Sequence, residues 1–255
     1  EVAPLLRSPL TEYLSERGIP YAIASRHCCR LNYGVRGKRY FELLEVFLEH
    51  CRSTFPEDWF SLWKFELWMN PTDTAQTYAA DFNRIQQMIH TRLPGAVLGG
   101  PGISSGFHKE SLEHLLSDLF AAGCRPGFIS AHFSLQVDTG NQHIHISTDP
   151  DLLLEETRLA AKLIQHHYPS VPFYLTEWTS LFFSDLPVHA SCFQAAFICH
   201  TIADLSEYYD LMGYWTFTDR FLPSAANRQK PSIWGHGLLD RNHLKMPAYH
   251  AFSFL

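Results

Sequence analysis

Short apolar runs alternate along this chain with longer stretches whose apolar residues recur every three or four positions. Tyr21–Ser25, Leu62–Met69, Ala96–Ile103, Phe128–Phe133, Phe173–Trp178 and Leu211–Phe217 are short, apolar and rich in aromatic or β-branched side chains, and they read as strands. Arg39–Arg52, Asp73–Arg92, Glu110–Ala122, Asp151–His167, Val188–Tyr208 and Met246–Phe254 carry the helical period. The punctuation agrees. Asn70-Pro71 stops the second strand, Gly123 suits a helix C-cap, and Asp149 and Asp151 stand near the start of the fourth helix. Val137–Pro150 is polar and reads as a loop.

The order is strand then helix, six times over, with no sign of a strand reversal. Such alternation predicts a parallel sheet covered by helices, and its length favours a (β/α) barrel over an open doubly wound sheet. No linker-like tract and no internal repeat divides the chain, so residues 1–255 read as one α/β barrel domain.

Composition narrows the picture. The chain is 46% hydrophobic and 18% charged, which excludes a disordered segment. A formal net charge of −6 argues against a non-specific nucleic-acid surface. No apolar run reaches the length of a membrane span, and the first residues lack the basic-then-apolar order of a secretory leader. The six cysteines, Cys28, Cys29, Cys51, Cys124, Cys192 and Cys199, form no C-x-x-C pair, and most lie in apolar periodic segments. Reduced, mostly buried thiols of a cytoplasmic protein are the expectation. His143 and His145 can share a strand face, but no third ligand sits at a recognisable spacing, so neither a metal nor a cofactor is expected.

Candidate chemistry gathers at the C-terminal ends of the predicted strands, where barrel enzymes place their catalytic groups. Asn70 follows the Leu62–Met69 strand, His132 lies near the end of the next but one, Glu177 ends Phe173–Trp178, and Trp215 lies in the last strand.

These segments resemble a known family. FELWMNP is similar to the F-E-V-W-N-E-P segment of glycoside hydrolase family 39, which includes β-xylosidases and α-L-iduronidases. YLTEWTS resembles its nucleophile strand, and GGPGIS, ISAHF, YWTFTD and GHGLLDRNHLKMPAYHAF follow in the family's order, from about Ile19 to the C-terminus. The resemblance implies an eight-stranded TIM barrel. The six strands found here then correspond to its third through eighth, so the first two βα units are missing and the chain reads as part of a longer protein. It also implies retaining glycosidase chemistry, in which two carboxylates about 5 Å apart protonate the leaving oxygen and attack the anomeric carbon.

Residue by residue, the nucleophile position matches Glu177. The acid/base position does not. Family W-N-E-P reads Trp68-Met69-Asn70-Pro71, so an amide replaces the acid and Met69 replaces the asparagine that usually holds the sugar 2-hydroxyl. Ser134 stands where the family has a tyrosine, and Leu222-Pro223 stands where it has an acidic pair. His132 is kept, and Trp215 is kept as an apolar platform for a sugar ring. The resemblance thus places Trp68, Met69, His132, Ser134, Trp178 and Trp215 around a saccharide. Glu66 shares strand parity with Asn70 but lies roughly 13 Å deeper, and reads as a structural carboxylate.

Three functions compete. A barrel that holds a small saccharide, pentose or xyloside-like, without hydrolysing it suits the sensing domain of an AraC-type transcription regulator, whose helix-turn-helix module would lie upstream of this chain. A β-xylosidase-like retaining enzyme needs an acid from elsewhere, such as His27 or His132. A decayed barrel binds nothing.

Overall fold

The structure is a computed structural model and describes residues 38–69, 73–138, 144–181, 187–218, 221–222, 232–233, 236–240 and 242–255. The expected strand Tyr21–Ser25 lies outside the described residues, as do Cys28, Cys29, Asn70, Pro71, His143 and Pro223. The chain divides into two compact units, Glu1–Pro101 with Ser117–Phe128, and Gly102–Leu116 with Ile129–Leu255.

In the first unit, helix α1 (Lys38–Thr54) is followed by a 3-10 turn at Glu57–Leu62, strand β1 (Lys64–Glu66) and helix α2 (Ala75–Arg92). The side chain of Thr74 accepts from the Thr77 N–H, and the Thr77 side chain returns the bond, which closes the first turn of α2. Ala75, Tyr78, Ala79, Phe82, Ile85 and Ile89 form the buried stripe of that helix. Strand β2 (Val97–Ser104) lies parallel to β1, with Lys64 opposite Val97 and Glu66 opposite Gly99. The pairing runs past the strand proper: Leu67 N–H donates to Gly99 O at 2.9 Å and Met69 N–H to Pro101 O at 2.9 Å.

The second unit holds the larger sheet. Strand β3 (Ile129–Phe133) leads through a short antiparallel pair, β4 (Gln136–Asp138) and β5 (Ile144–Ile146), into helix α4 (Leu152–His167), the one after α3 (Lys109–Ala121). Strand β6 (Phe173–Trp178), helix α5 (Cys192–Leu205), strand β7 (Leu211–Tyr214) and helix α6 (Pro247–Phe254) complete it. A two-residue pair, β8 (Phe221–Leu222) with β9 (Ser232–Ile233), lies between β7 and α6 in the chain. β6 lies between β3 and β7, parallel to both, with helices between the strands in sequence. These are the strand–helix units of a TIM-barrel-like α/β fold, as the alternation predicts.

The helix face of this sheet carries the core. Ile129, Ala131, Phe133, Leu175 and Trp178 pack with Leu163, Ile164 and Ile198 from α4 and α5. Two expectations need correction. Val137–Pro150 is not all loop, because β4 and β5 pair across it. Val188–Tyr208 is not one helix: a 3-10 turn at Pro187–Ala190 precedes Ser191, whose hydroxyl accepts from the Phe193 N–H and starts α5 afresh.

Candidate functional site

Glu177 owes its placement to an irregularity in β6. Against β3, Ala131 pairs with Leu175 but His132 pairs with Glu177; against β7, Met212 pairs with Leu175 and Tyr214 with Trp178. β6 therefore carries one extra residue relative to both neighbours, a bulge at Thr176-Glu177. The burial pattern shows the consequence. Phe173, Leu175 and Trp178 are buried, while Tyr174, Thr176 and Glu177 are half-buried. Leu175 and Trp178 thus share the helix face although three positions apart, and Thr176 and Glu177 share the other face. The Thr176 hydroxyl reaches back to Ala131 O at 3.4 Å.

Gly213 makes room for the bulge. A Cβ at this position would lie 2.6 Å from Thr176 O, closer than side chains approach a carbonyl. The small residue in LMGYW is required by the neighbouring strand.

Register then gathers the other groups. His132 lies beside Glu177 in the parallel ladder and is 7% exposed. Ser134 is buried, one residue past Phe133, and its N–H donates to Ser105 Oγ at 2.7 Å. Ser105 N–H in turn donates to His132 O at 3.3 Å. The loop that carries Ser105 is anchored from α4: Gly106 N–H, at φ +77°, donates to Glu156 Oε1 at 2.6 Å. Burial pushes the Glu156 carboxyl up to about 7, and the bond from Gly106 only partly offsets this. Trp215 follows β7, half-buried, with its N–H on Trp178 O at 3.0 Å and a cis peptide to Thr216.

Glu177 and His132 are thus neighbours in register, with Ser134 just past β3 and Trp215 just past β7, at the C-terminal end of the second unit's sheet. Trp178 does not join them. It is fully buried and packs on Phe197, Tyr214 and Phe252. The bulge turns it to the helix face, so it is a core residue and not part of a surface open to a ligand. Trp68 and Met69 are half-buried in the first unit, just past β1, beside Leu67, whose carbonyl accepts from the buried Tyr78 hydroxyl at 2.7 Å. Asn70, which follows them, is outside the described residues. Glu66 is half-buried on β1.

Residues missed in the sequence lie at and behind the ends of β6 and β7. Thr179, Ser180, His189, Gln194 and His236 are all fully buried and polar. Glu156 and Gln194 each sit at apolar phase in their helices, which was the available signal. A mainly apolar cavity of about 500 Å³, lined by Leu135, Leu153, Leu181, Phe197 and others, opens beside α4 and α5 and contains none of the predicted site residues. Among the described residues no group of three His, Cys, Asp or Glu is arranged to hold a metal ion.

The family model of the glycosyl hydrolases family 39 matches residues 36–255. The chain belongs to that family. Residues 1–43 match a model for a domain of unknown function. A β-xylosidase of Geobacillus stearothermophilus is 23% identical over 234 residues, which cover 85% of this chain and 45% of that protein. A β-xylosidase of Caldicellulosiruptor saccharolyticus is 25% identical over 227 residues, covering 84% and 45%. Among solved structures, a monomeric β-xylosidase from Caulobacter crescentus matches with a TM-score of 0.68 at 22% identity, covering 85% of this chain and 46% of that one. A family 39 enzyme from Xanthomonas axonopodis pv. citri gives a TM-score of 0.69 at 24% identity, covering 85% and 44%. The chain thus spans somewhat under half the length of each of these proteins, and the structural likeness places its fold with theirs.

Proposed function

We propose that this family 39 domain binds a small saccharide, pentose or xyloside-like, and does not hydrolyse it. The carrying observation is the segment Trp68-Met69-Asn70-Pro71, which reads W-N-E-P in the family pattern. An asparagine amide matches a protonated carboxylic acid in shape and can donate to a glycosidic oxygen, but it has no proton to give up near neutral pH. General acid catalysis contributes about 10²–10⁴-fold, and the same carboxylate would later activate the water that frees the enzyme. Glu177, His132 and Trp215 supply the means to hold a sugar: a carboxylate and an imidazole side by side, and an indole following the next strand. Glu177 is the nucleophile position and Asn70 the degenerate acid/base position.

A domain that grips a sugar and leaves it intact suits a sensor, which must not consume its inducer. On this reading the domain is the ligand-sensing part of an AraC-type transcription regulator in the cytoplasm. The free state of Cys51, Cys124, Cys192 and Cys199 accords with a reducing compartment. Among the described residues no helix is long and apolar enough to cross a membrane.

The test is calorimetric titration of the protein with methyl β-D-xyloside and xylobiose, with product analysis of the same samples. Saturable binding with intact sugar is expected. Released xylose at a steady rate would replace this reading with a second one that the bulge-aimed Glu177 favours, a retaining β-xylosidase-like enzyme drawing its acid from another residue.

A further inference from the structure

Glu177 stands on β6 and Trp215 just past β7, its neighbour in the sheet, and one buried side chain ties the ends of both strands. The Gln194 amide projects from the first turn of α5 and is fully buried. Its Oε1 accepts from Ser180 Oγ at 2.5 Å. Its Nε2 donates to Tyr214 OH at 3.0 Å and to Thr179 Oγ1 at 3.4 Å. Thr179 and Ser180 follow Glu177-Trp178 directly, and Tyr214 precedes Trp215.

The web continues from Tyr214. Its hydroxyl donates to His236 O at 3.0 Å, the same carbonyl that accepts from the Thr216 N–H at 3.5 Å. Thus both residues flanking Trp215 hang on one carbonyl. The His236 ring meets Thr179 Oγ1 at 3.5 Å and lies 3.7 Å, centroid to centroid, from the His189 ring, whose Nδ1 is 3.5 Å from Ser180 Oγ. Burial holds both imidazoles neutral, His236 down to about 3.

We propose that Gln194 is a positioning residue that sets the spacing between the strand end carrying Glu177 and the strand end carrying Trp215. It touches neither. It acts through Thr179 and Ser180 on one side and Tyr214 on the other. A glutamine suits this task because its amide accepts at one end and donates twice at the other. Methionine fills the same volume with none of these bonds, and glutamate keeps the acceptor for Ser180 in either state but has a donor, one in place of two, only while protonated. The consequence for affinity rests on the saccharide reading above; the consequence for geometry does not.

The test uses the protein labelled with 5-fluorotryptophan, with the Trp215 resonance assigned by Trp215→Phe and Trp63, in the other unit, as the internal control. Gln194→Met is expected to move and broaden the Trp215 fluorine signal and leave that of Trp63 in place. Gln194→Glu is expected to give a Trp215 signal close to the wild type at pH 6 and Met-like at pH 9, each compared with wild type at the same pH. Tyr214→Phe, which cuts only one tether, keeps the test open if Gln194→Met does not fold, and a smaller displacement is expected from it. Trp215 signals that coincide with wild type in the folded variants would overturn the proposal. In parallel, titration with methyl β-D-xyloside is expected to show about tenfold weaker binding by Gln194→Met, since small misplacements of binding groups cost this much or more. A wild type that binds no xyloside refutes the saccharide reading alone, because the fluorine result is read without ligand.

Discussion

Replacing Glu156 by glutamine isolates one buried charge. Glu156 lies on the core side of α4, 9% exposed, with Oε1 on the Gly106 N–H and Oε2 without a hydrogen-bond partner. Burial raises the carboxyl from 4.5 to about 7. The group facing it is Tyr209, whose hydroxyl is bonded to Thr157 Oγ1 at 2.8 Å and is itself pushed up by burial, so it stays protonated across the range of interest. The folded state holds the Glu156 proton more tightly than the unfolded chain does. The stability this contributes is complete below 4.5 and is lost as pH rises through about 7. At about 1.4 kcal/mol per tenfold change in proton affinity, the loss is roughly 3 kcal/mol. Glu156→Gln keeps the acceptor for Gly106 and never ionises. Urea unfolding of the two proteins should therefore give similar stabilities at pH 5, and a variant more stable by roughly 3 kcal/mol at pH 8.5. His236 works in the opposite sense. Its depressed imidazole keeps full stability above the ordinary 6.5 and loses it as pH falls toward about 3. Because His236 is present in both proteins, its contribution cancels in the difference. A difference that stays the same at pH 5 and pH 8.5 would rule out a Glu156 proton held more tightly in the folded state.

Other substitutions probe the site and its support. Trp178→Ala, at a fully buried position, should cost about 3–5 kcal/mol in urea unfolding, whereas Trp215→Ala should cost less and instead weaken xyloside binding in a calorimetric titration. Gly213→Ala sets a methyl against Thr176 O and should destabilise by about 1–3 kcal/mol; a neutral result would mean the bulge can relax without cost. Cys192 is exposed, whereas Cys51 and Cys124 are buried with thiols pushed up to about 11 and about 12, so a thiol reagent should label Cys192 quickly and the other two only on unfolding. Peptide mapping of the labelled protein should place the label on Cys192 before Cys51 and Cys124, and Cys192→Ser should remove that one labelled peptide.

The strand–helix order was legible because hydrophobic period and length agree for most elements. Phe173–Trp178 falls where the pattern puts it, and the helix of Asp73–Arg92 differs from α2 only at its capped start. What the pattern hid were departures from period. A strand is read by alternation, and one extra residue at Thr176-Glu177 reverses the face of everything after it. By plain alternation from the buried Leu175, Glu177 would face the helices; the extra residue turns Glu177 away from them and puts Trp178, which the family resemblance places around a saccharide, in the core. Glu156 and Gln194 were hidden for a related reason. Both are polar residues on a buried stripe, and only the partners brought by the tertiary structure, Gly106 for one and Ser180, Thr179 and Tyr214 for the other, explain how such burial is tolerated. The hairpin of β4 and β5 lay in a polar stretch too short to show a period.

The most direct measurement compares xylobiose hydrolysis by the protein and by Asn70→Glu. Almost no turnover is expected of the unaltered protein, and a rise of about 10²-fold or more once a carboxyl is restored at position 70, abolished again by adding Glu177→Gln. Rapid hydrolysis by the unaltered protein, or a rate that Asn70→Glu leaves unchanged, would contradict a reaction blocked by the amide at position 70.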